Sequence, residues 1–393
     1  MSKTKAFFVD LTHLPVRIIY LYPMLFKDVL GHNDLKNKFI NDVRSQQVSH
    51  AHLFLGNIGY GGLPIALALS QYLMCENQQD NDSCGVCPAC RKVQKLEHPD
   101  IHFSFPTAQA DSKTSDPLFP LWKESVLKNP YMGLNEWINV SDDKGRKPII
   151  SVHQSEEIIK KLTLKSFEGG YKISIIWLAE EMNTACANKL LKIIEEPPKN
   201  TLFILIVENE DTVLPTILSR TQITKIKQLK DEELVGLLRN QGHSNEDLLK
   251  SVSSRAEGDV SAALDIINSG GNNNYQYFVE LMRVCYKKEV LPMMNWAETM
   301  SKMSREEQKH FIKYALYMVR QSLVKNYTEG QLMRTSADEA KFLANFARFI
   351  TGNNVLEFNN LFNEAHYNIE RNAYSKLLFT NITFEVMRYI HKA

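Results

Sequence analysis

Short, continuously apolar runs alternate with amphipathic stretches over much of the chain. Leu53-Phe54-Leu55 reads as a buried strand feeding a glycine-rich turn, with a helix expected from Pro64 to about Met74. Upstream, Leu35, Phe39, Ile40 and Val43 recur at helical spacing between Asn33 and Ser45. His98 to Phe103 reads as a turn and a second strand. Lys172 to Leu178 and Thr201 to Val207 are apolar without alternation, as strands covered on both faces should be. Amphipathic helices are expected at Ser155–Leu164, with Ile158, Ile159 and Leu162 inward, and at Asn183–Glu195, closed by Pro197-Pro198. Alternation of strand and helix from Leu53 to Ile226 predicts an α/β domain with a mainly parallel sheet and helices on both faces.

Past Lys230 the strand pattern stops. Asp231–Asn240, Asn245–Ala256 and Val260–Asn268 read as three short helices, with Asp259 placed to cap the third. Gly270-Gly271-Asn272-Asn273-Asn274 is a linker. Tyr275 to Ala393 reads as helical throughout, broken at Thr351-Gly352-Asn353-Asn354, and suited to packing against itself or other copies. Two stretches interrupt the scheme. Residues 106–150 read as a surface insertion with a short helix near Leu118–Lys128. Its Trp122, Tyr131 and Trp137 either pin it to the domain or meet a partner. Residues 1–23 are either an extension upstream of a natural start at Met24 or an N-terminal strand. The expected organisation is therefore an extension (1–23), an α/β domain (24–228), a small helical domain (229–270) and a helical C-terminal domain (275–393).

Length and composition narrow the class. The chain has 393 residues, room for two or three domains of roughly 100–200 residues. Hydrophobic residues at 44% and charged residues at 23% are enough for a buried core beneath a polar surface. A formal net charge of +1 argues against a protein that grips duplex DNA alone through many phosphates, so any nucleic-acid role is shared with partners. No apolar run approaches the roughly 20 residues of a membrane span, and no clean signal-peptide core is seen, so a cytoplasmic protein without membrane partners is expected.

Four of the six cysteines, Cys75, Cys84, Cys87 and Cys90, follow the glycine-rich stretch directly with spacing C-x8-C-x2-C-x2-C. Two C-x2-C steps sharing Cys87 can wrap one tetrahedral Zn²⁺ with four thiolates, leaving no open position for a catalytic water. The expected ion is structural. The alternative, buried or redox cysteines, fits poorly with the polar, loop-like surroundings at Asp80, Asp82, Gly85 and Pro88. His98 and His102 lie nearby as lone histidines and are not expected to be ligands.

Gly56-Asn57-Ile58-Gly59-Tyr60-Gly61-Gly62-Leu63 has the skeleton of a phosphate-binding loop, a strand, a glycine turn and a helix N-terminus. A working loop needs a lysine after its last glycine and then a hydroxyl for Mg²⁺. Those places hold Gly62 and Leu63. The loop either binds nothing or holds a nucleotide weakly through backbone N–H groups, with Gly56, Gly59, Gly61 and Gly62 as contacts; hydrolysis is not expected. The acidic pair that should follow the next core strand is missing too, where Trp177 and Leu178 stand. Glu180 and Glu181 read as a solvated helix start. Ser219-Arg220-Thr221 closes the α/β pattern. An arginine there can reach into a neighbour's phosphate site, although on local pattern alone it is a surface residue.

Four stretches together carry a resemblance. They are Phe26–Gly31, the Gly56 loop with its four cysteines, Asn188-Lys189-Leu190-Leu191-Lys192-Ile193-Ile194-Glu195-Glu196-Pro197-Pro198, and Leu214-Pro215-Thr216-Ile217-Leu218-Ser219-Arg220. From about Met24 to Asn268 the chain resembles the δ′ subunits of bacterial clamp loaders, DNA polymerase III components related to γ/τ and belonging to the AAA+ group. The helical C-terminus fits that family's collar in character, and Asn372 to Leu378 is similar to its final helix. The resemblance implies an AAA+ α/β domain with a zinc knuckle, a helical lid and a collar. It implies a stator without ATPase activity or expected ATP binding of its own, working beside γ/τ and δ subunits, the sliding clamp and primed DNA within a DNA polymerase holoenzyme. It makes Arg220, with Ser219, a finger acting in trans. The chain departs from the family at Thr221, where a cysteine is usual, and at Ser261, where AAA+ relatives often place a phosphate-contacting arginine. The alternative is a free-standing AAA+-like scaffold that uses its zinc knuckle directly on DNA.

Overall fold

The computed structural model describes residues 25–142, 146–268, 274–328, 330 and 332–392. Residues 1–23 and most of the glycine/asparagine linker lie outside them. Two compact units are present, Met1–His243 with Glu257–Ala262, and Ser244–Ala256 with Ala263–Ala393.

In the first unit α1 (Asn33–Arg44) precedes β1 (Ala51–Leu55) and α2 (Gly62–Met74). Then come α3 (Pro88–Gln94), β2 (Ile101–Ser104), α4 (Phe119–Lys128), α5 (Leu134–Ser141) and α6 (Val152–Thr163). The chain continues through β3 (Lys172–Trp177), α7 (Thr184–Glu195), β4 (Thr201–Val207), α8 (Pro215–Leu218), β5 (Gln222–Lys225) and α9 (Asp231–Asn240). Among the described residues five strands pair in parallel, in the order β2-β3-β4-β1-β5. This is the α/β architecture with a parallel sheet that the sequence predicts. The central strands β3 and β4 are buried along their whole length, and apart from Lys172, Ser174 and Thr201 they are apolar. Asn183 caps α7, accepting the Cys186 N–H at 2.8 Å.

One strand escaped the sequence pattern. β5 is exposed at Gln222, Ile223 and Lys225 and buried only at Thr224. As an edge strand it needs no apolar run, since only its β1 side is paired.

The 106–150 insertion is not the surface feature expected. Its two helices sink Trp122 and Trp137 into the main core, the turn between them buries Tyr131, and each of the three is at most 1% exposed. Trp122 stacks on Phe105 with ring centroids 4.8 Å apart and meets Trp177 of β3 edge-on. Trp137 donates its indole N–H to the Pro106 carbonyl at 2.8 Å. A backbone bridge between Thr107 and Ile149 closes the base of the insertion. The aromatics pin it to the domain.

The second unit holds α10 (Glu246–Ala256) and most of α11 (Val260–Asn268), then α12 (Asn274–Lys287), α13 (Val290–Ser301), α14 (Arg305–Thr328), α15 (Ala337–Phe346), α16 (Val355–Glu370) and α17 (Ser375–Ile390). Phe278, Trp296, Phe311, Phe358 and Phe379 centre its core. The expected break at Thr351–Asn354 is real and internally stapled. Buried Asn354 donates to the carbonyls of Phe349 and Tyr389 and accepts the Thr351 N–H at 2.9 Å. No helix among the described residues is long and apolar enough to cross a membrane.

Emptying the insertion's anchor tests its place in the core. Trp122→Ala should cost about 3–5 kcal/mol in urea unfolding, the range for removing a buried aromatic. A loss below about 1 kcal/mol would mean the insertion packs peripherally.

Candidate nucleotide-type cleft, cysteine cluster and exposed arginine

In a parallel sheet the loops leaving the strand C-termini converge on one edge, where ligands bind. Here the loops after β1, β3 and β4 meet there. The glycine stretch turns the chain from β1 into α2 as expected. Gly61 has φ 101° and sits at the N-cap of α2. Gly62 and Leu63 are buried, and a Cβ at Gly62 would stand 3.2 Å from Ile206 Cγ2. The place of the catalytic lysine is thus a packing contact with β4.

The N–H groups of the loop from Ile58 to Gly61 already have partners. Ile58 N–H donates to Glu208 Oε1 at 3.2 Å and Gly59 N–H to Asn57 Oδ1 at 2.8 Å. Tyr60 N–H reaches the Asn57 carbonyl at 2.9 Å, and Gly61 N–H the Ile58 carbonyl at 3.1 Å. The carboxylate of Asp259 lies so close to Gly59 that a Cβ there would overlap it. Asp259 caps the first turn of α11 as the sequence suggests, accepting the Ala262 N–H at 2.9 Å.

Glu180 is not part of a solvated helix start. It follows β3 in a short 3₁₀ turn, Ala179–Glu181, and accepts the Glu208 backbone N–H at 2.9 Å. Burial pushes its carboxyl up to about 7, with the Glu208 and Glu181 charges adding to the rise. Burial also raises Glu208, and the Asp259 charge adds to it. Carboxylates therefore crowd the position where a nucleotide would bring more negative charge. Sequence reading missed Glu208 and Asp259 as a pair with Glu180. The acidic residue immediately after β4 was the available signal.

The cysteines do meet. The sulfurs of Cys75, Cys84, Cys87 and Cys90 all lie within 4.8 Å of one another, and Cys84 and Cys90 are 4.0 Å apart. Cys75 caps the end of α2, and Cys87 caps the start of α3 with Pro88 next in line. Gly85, at φ 71°, makes the turn between them. Backbone N–H groups of Cys84, Cys87 and Cys90 point at the sulfurs of Cys75, Cys84 and Cys87, at 3.3, 3.3 and 3.4 Å. Such donors favour thiolates. A tetrahedral ion with bonds of about 2.3 Å sets its sulfurs about 3.8 Å apart, so the four residues fit Zn²⁺ with little contraction. His98 is not among them; it is buried against Glu168 at 3.0 Å.

Arg220 stands elsewhere. It follows α8 and precedes β5, whose first residue, Gln222, pairs with His52 near the start of β1. It therefore lies at the N-terminal edge of the sheet, with the length of β1, roughly 16 Å, between it and the glycine loop. Its side chain is 32% exposed. Nε meets Glu195 Oε2 at 2.9 Å, and Nη1 donates to the Thr216 carbonyl at 3.1 Å and to Ser219 Oγ at 3.3 Å. Ser219 thus helps hold the guanidinium. Thr221 turns its hydroxyl back to the Ile217 carbonyl at 3.1 Å, a local role.

The buried glutamates set a pH dependence. Glu180 has a folded-state pKa above its ordinary value of 4.5, so it favours the fold when protonated. That contribution is full below 4.5 and disappears as pH rises through about 7. Unfolding free energy should fall by up to something on the order of 3 kcal/mol between roughly pH 4 and pH 8, and Glu180→Gln should flatten the slope. Urea titrations across that range, with the same slope in the variant, would assign the dependence to other groups.

The model of the family described as "DNA polymerase III, delta subunit" matches residues 31–230. The DNA polymerase III subunit delta′ of Bacillus subtilis is 27% identical over 62% of this chain and 56% of its own length. That of Escherichia coli is 23% identical over 80% of this chain and 81% of its own, and that of Yersinia pestis 31% identical over 44% and 39%. A DNA polymerase III γ subunit-related protein from Thermotoga maritima superposes over 90% of this chain and 99% of its own, at 14% identity and a TM-score of 0.37. The family match takes in 200 of the 393 residues, including the glycine loop, all four clustered cysteines and Arg220, and the chain belongs to the DNA polymerase III delta-subunit family.

Proposed function

We propose that the protein is a non-hydrolysing subunit of a DNA polymerase III clamp loader. In this reading it stands beside γ/τ and δ subunits and lends Arg220 to a neighbour's ATP site while that assembly places the sliding clamp on primed DNA. The observation that carries the reading is the division of the sheet into two edges. One edge holds a glycine loop without lysine or Mg²⁺ hydroxyl, with the N–H groups of Ile58 to Gly61 bonded within the chain and carboxylates against it. The other presents a guanidinium too far away to serve that loop. Such an arginine stabilises transferred-phosphate charge only on another chain. Residues 24–228, 229–270 and 275–393 act in this reading as AAA+ domain, lid and collar. The protein works in the cytoplasm, and its contact with DNA comes through the assembly.

The four cysteines hold one structural zinc ion, which ties the end of α2 to the start of α3 and supplies no chemistry. Elemental analysis should find about one zinc per chain, and Cys84→Ser or Cys87→Ser should lose it and lower the melting temperature. Metal-free protein with unchanged melting would remove the ion from the account.

The arginine is tested in the assembly. Complexes reconstituted with Arg220→Ala should form normally, with turnover at the adjacent site slowed by roughly 10³-fold or more and total DNA-stimulated ATPase reduced by that site's share. Normal hydrolysis by an intact mutant complex overturns the assignment.

A further inference from the structure

The insertion does more than fill the core. Its turn between α4 and α5 is built on Asn129, whose Oδ1 accepts the Tyr131 N–H at 3.1 Å and whose carbonyl accepts the Met132 N–H at 3.2 Å. The turn projects Tyr131 over the glycine loop, with its ring 3.0 Å from where a Cβ on Gly61 would be. The Tyr131 hydroxyl is buried without a hydrogen-bond partner among the described residues. The same turn grips the first turn of α11. Ser261 Oγ hydrogen-bonds to Glu136 Oε1, and Asn129 Nδ2 donates to Ser261 Oγ at 3.4 Å and to Glu136 Oε2 at 3.0 Å. A nucleotide in a strand–glycine-loop–helix site lies over the loop and bridges to whatever covers it. Here one segment of the chain does both.

We infer that Asn129–Glu136 is an intramolecular stand-in for a nucleotide, filling the cleft over Gly61 and tying it to the Glu257–Ala262 turn through Ser261. The cleft is closed from within, and the tie that a nucleotide would make and release is permanent. Glu208 and Asp259 complete the substitution by engaging the loop from the protein side. The inference concerns one chain alone, so it stands or falls apart from any role in a clamp loader.

Hydrogen exchange on the full-length wild-type chain and on Ser261→Ala and Glu136→Ala tests it. Ser261→Ala removes only a hydroxyl, so it keeps the test open if Glu136→Ala folds poorly. Amides of residues 257–262 should exchange about tenfold faster in both variants, the loss of a hydrogen bond to a charged group, with β3 and β4 unchanged. Adding Mg²⁺–ATP should protect residues 56–63 in none of the three proteins. Unchanged exchange at 257–262, or protection of the wild-type loop by Mg²⁺–ATP, overturns the inference.

Discussion

Parallel pairing of β1 with β5 is the constraint on which the arrangement of this molecule depends. A parallel sheet has two unlike edges, and the chain cannot exchange them without crossing the sheet. The glycine loop leaves the C-terminal end of β1, and Arg220 enters at the N-terminal end of β5. With β1 five residues long, the two features are held apart by backbone hydrogen bonds, whatever their side chains do. An arginine so placed is indifferent to its own loop. The glycine loop at one edge and the arginine at the other can therefore change independently.

Electrostatics explains how the loop is satisfied without an anion. A loop of free N–H groups at a helix N-terminus attracts an anion, and an unfilled one is costly when buried. This chain answers that demand internally, with the Glu208 carboxylate on Ile58, Asn57 on Gly59, and Asp259 alongside. The raised carboxyls of Glu180 and Glu208 are the counterpart, since acids recruited to such a place are themselves partly desolvated. Arg220 shows the opposite case. Its clasp by Glu195 is a surface ion pair, worth little to stability. It orients the guanidinium from the end of α7, immediately before Pro197-Pro198, and so gives that acidic-proline stretch a physical part in holding the arginine.

Much of this was legible in the sequence, for local reasons. β1, β3 and β4 announce themselves because burial on both faces makes them mainly apolar, with His52, Lys172, Ser174 and Thr201 as the exceptions. The cysteines do so because metal-type spacing is short-range. The positions of Gly62 and Leu63 are diagnostic because a phosphate loop tolerates so little variation. What was not legible depends on contacts distant in sequence. β5 hides because an edge strand can be polar. Glu180 reads as solvated until β4 and its Glu208 are folded against it, 28 residues on. Asn129 and Glu136 sit in a stretch rich in proline and polar residues, and their meeting with Ser261 joins positions more than 120 residues apart. No periodicity encodes such a meeting.

The same contacts set what this cleft can accept. With Gly62 resting on Ile206 and a tyrosine ring over Gly61, a lysine and a hydroxyl introduced by point mutation would insert side chains into filled space, beneath carboxylates that repel a phosphate. These contacts would have to be undone together, so no single substitution turns the loop into a phosphate site.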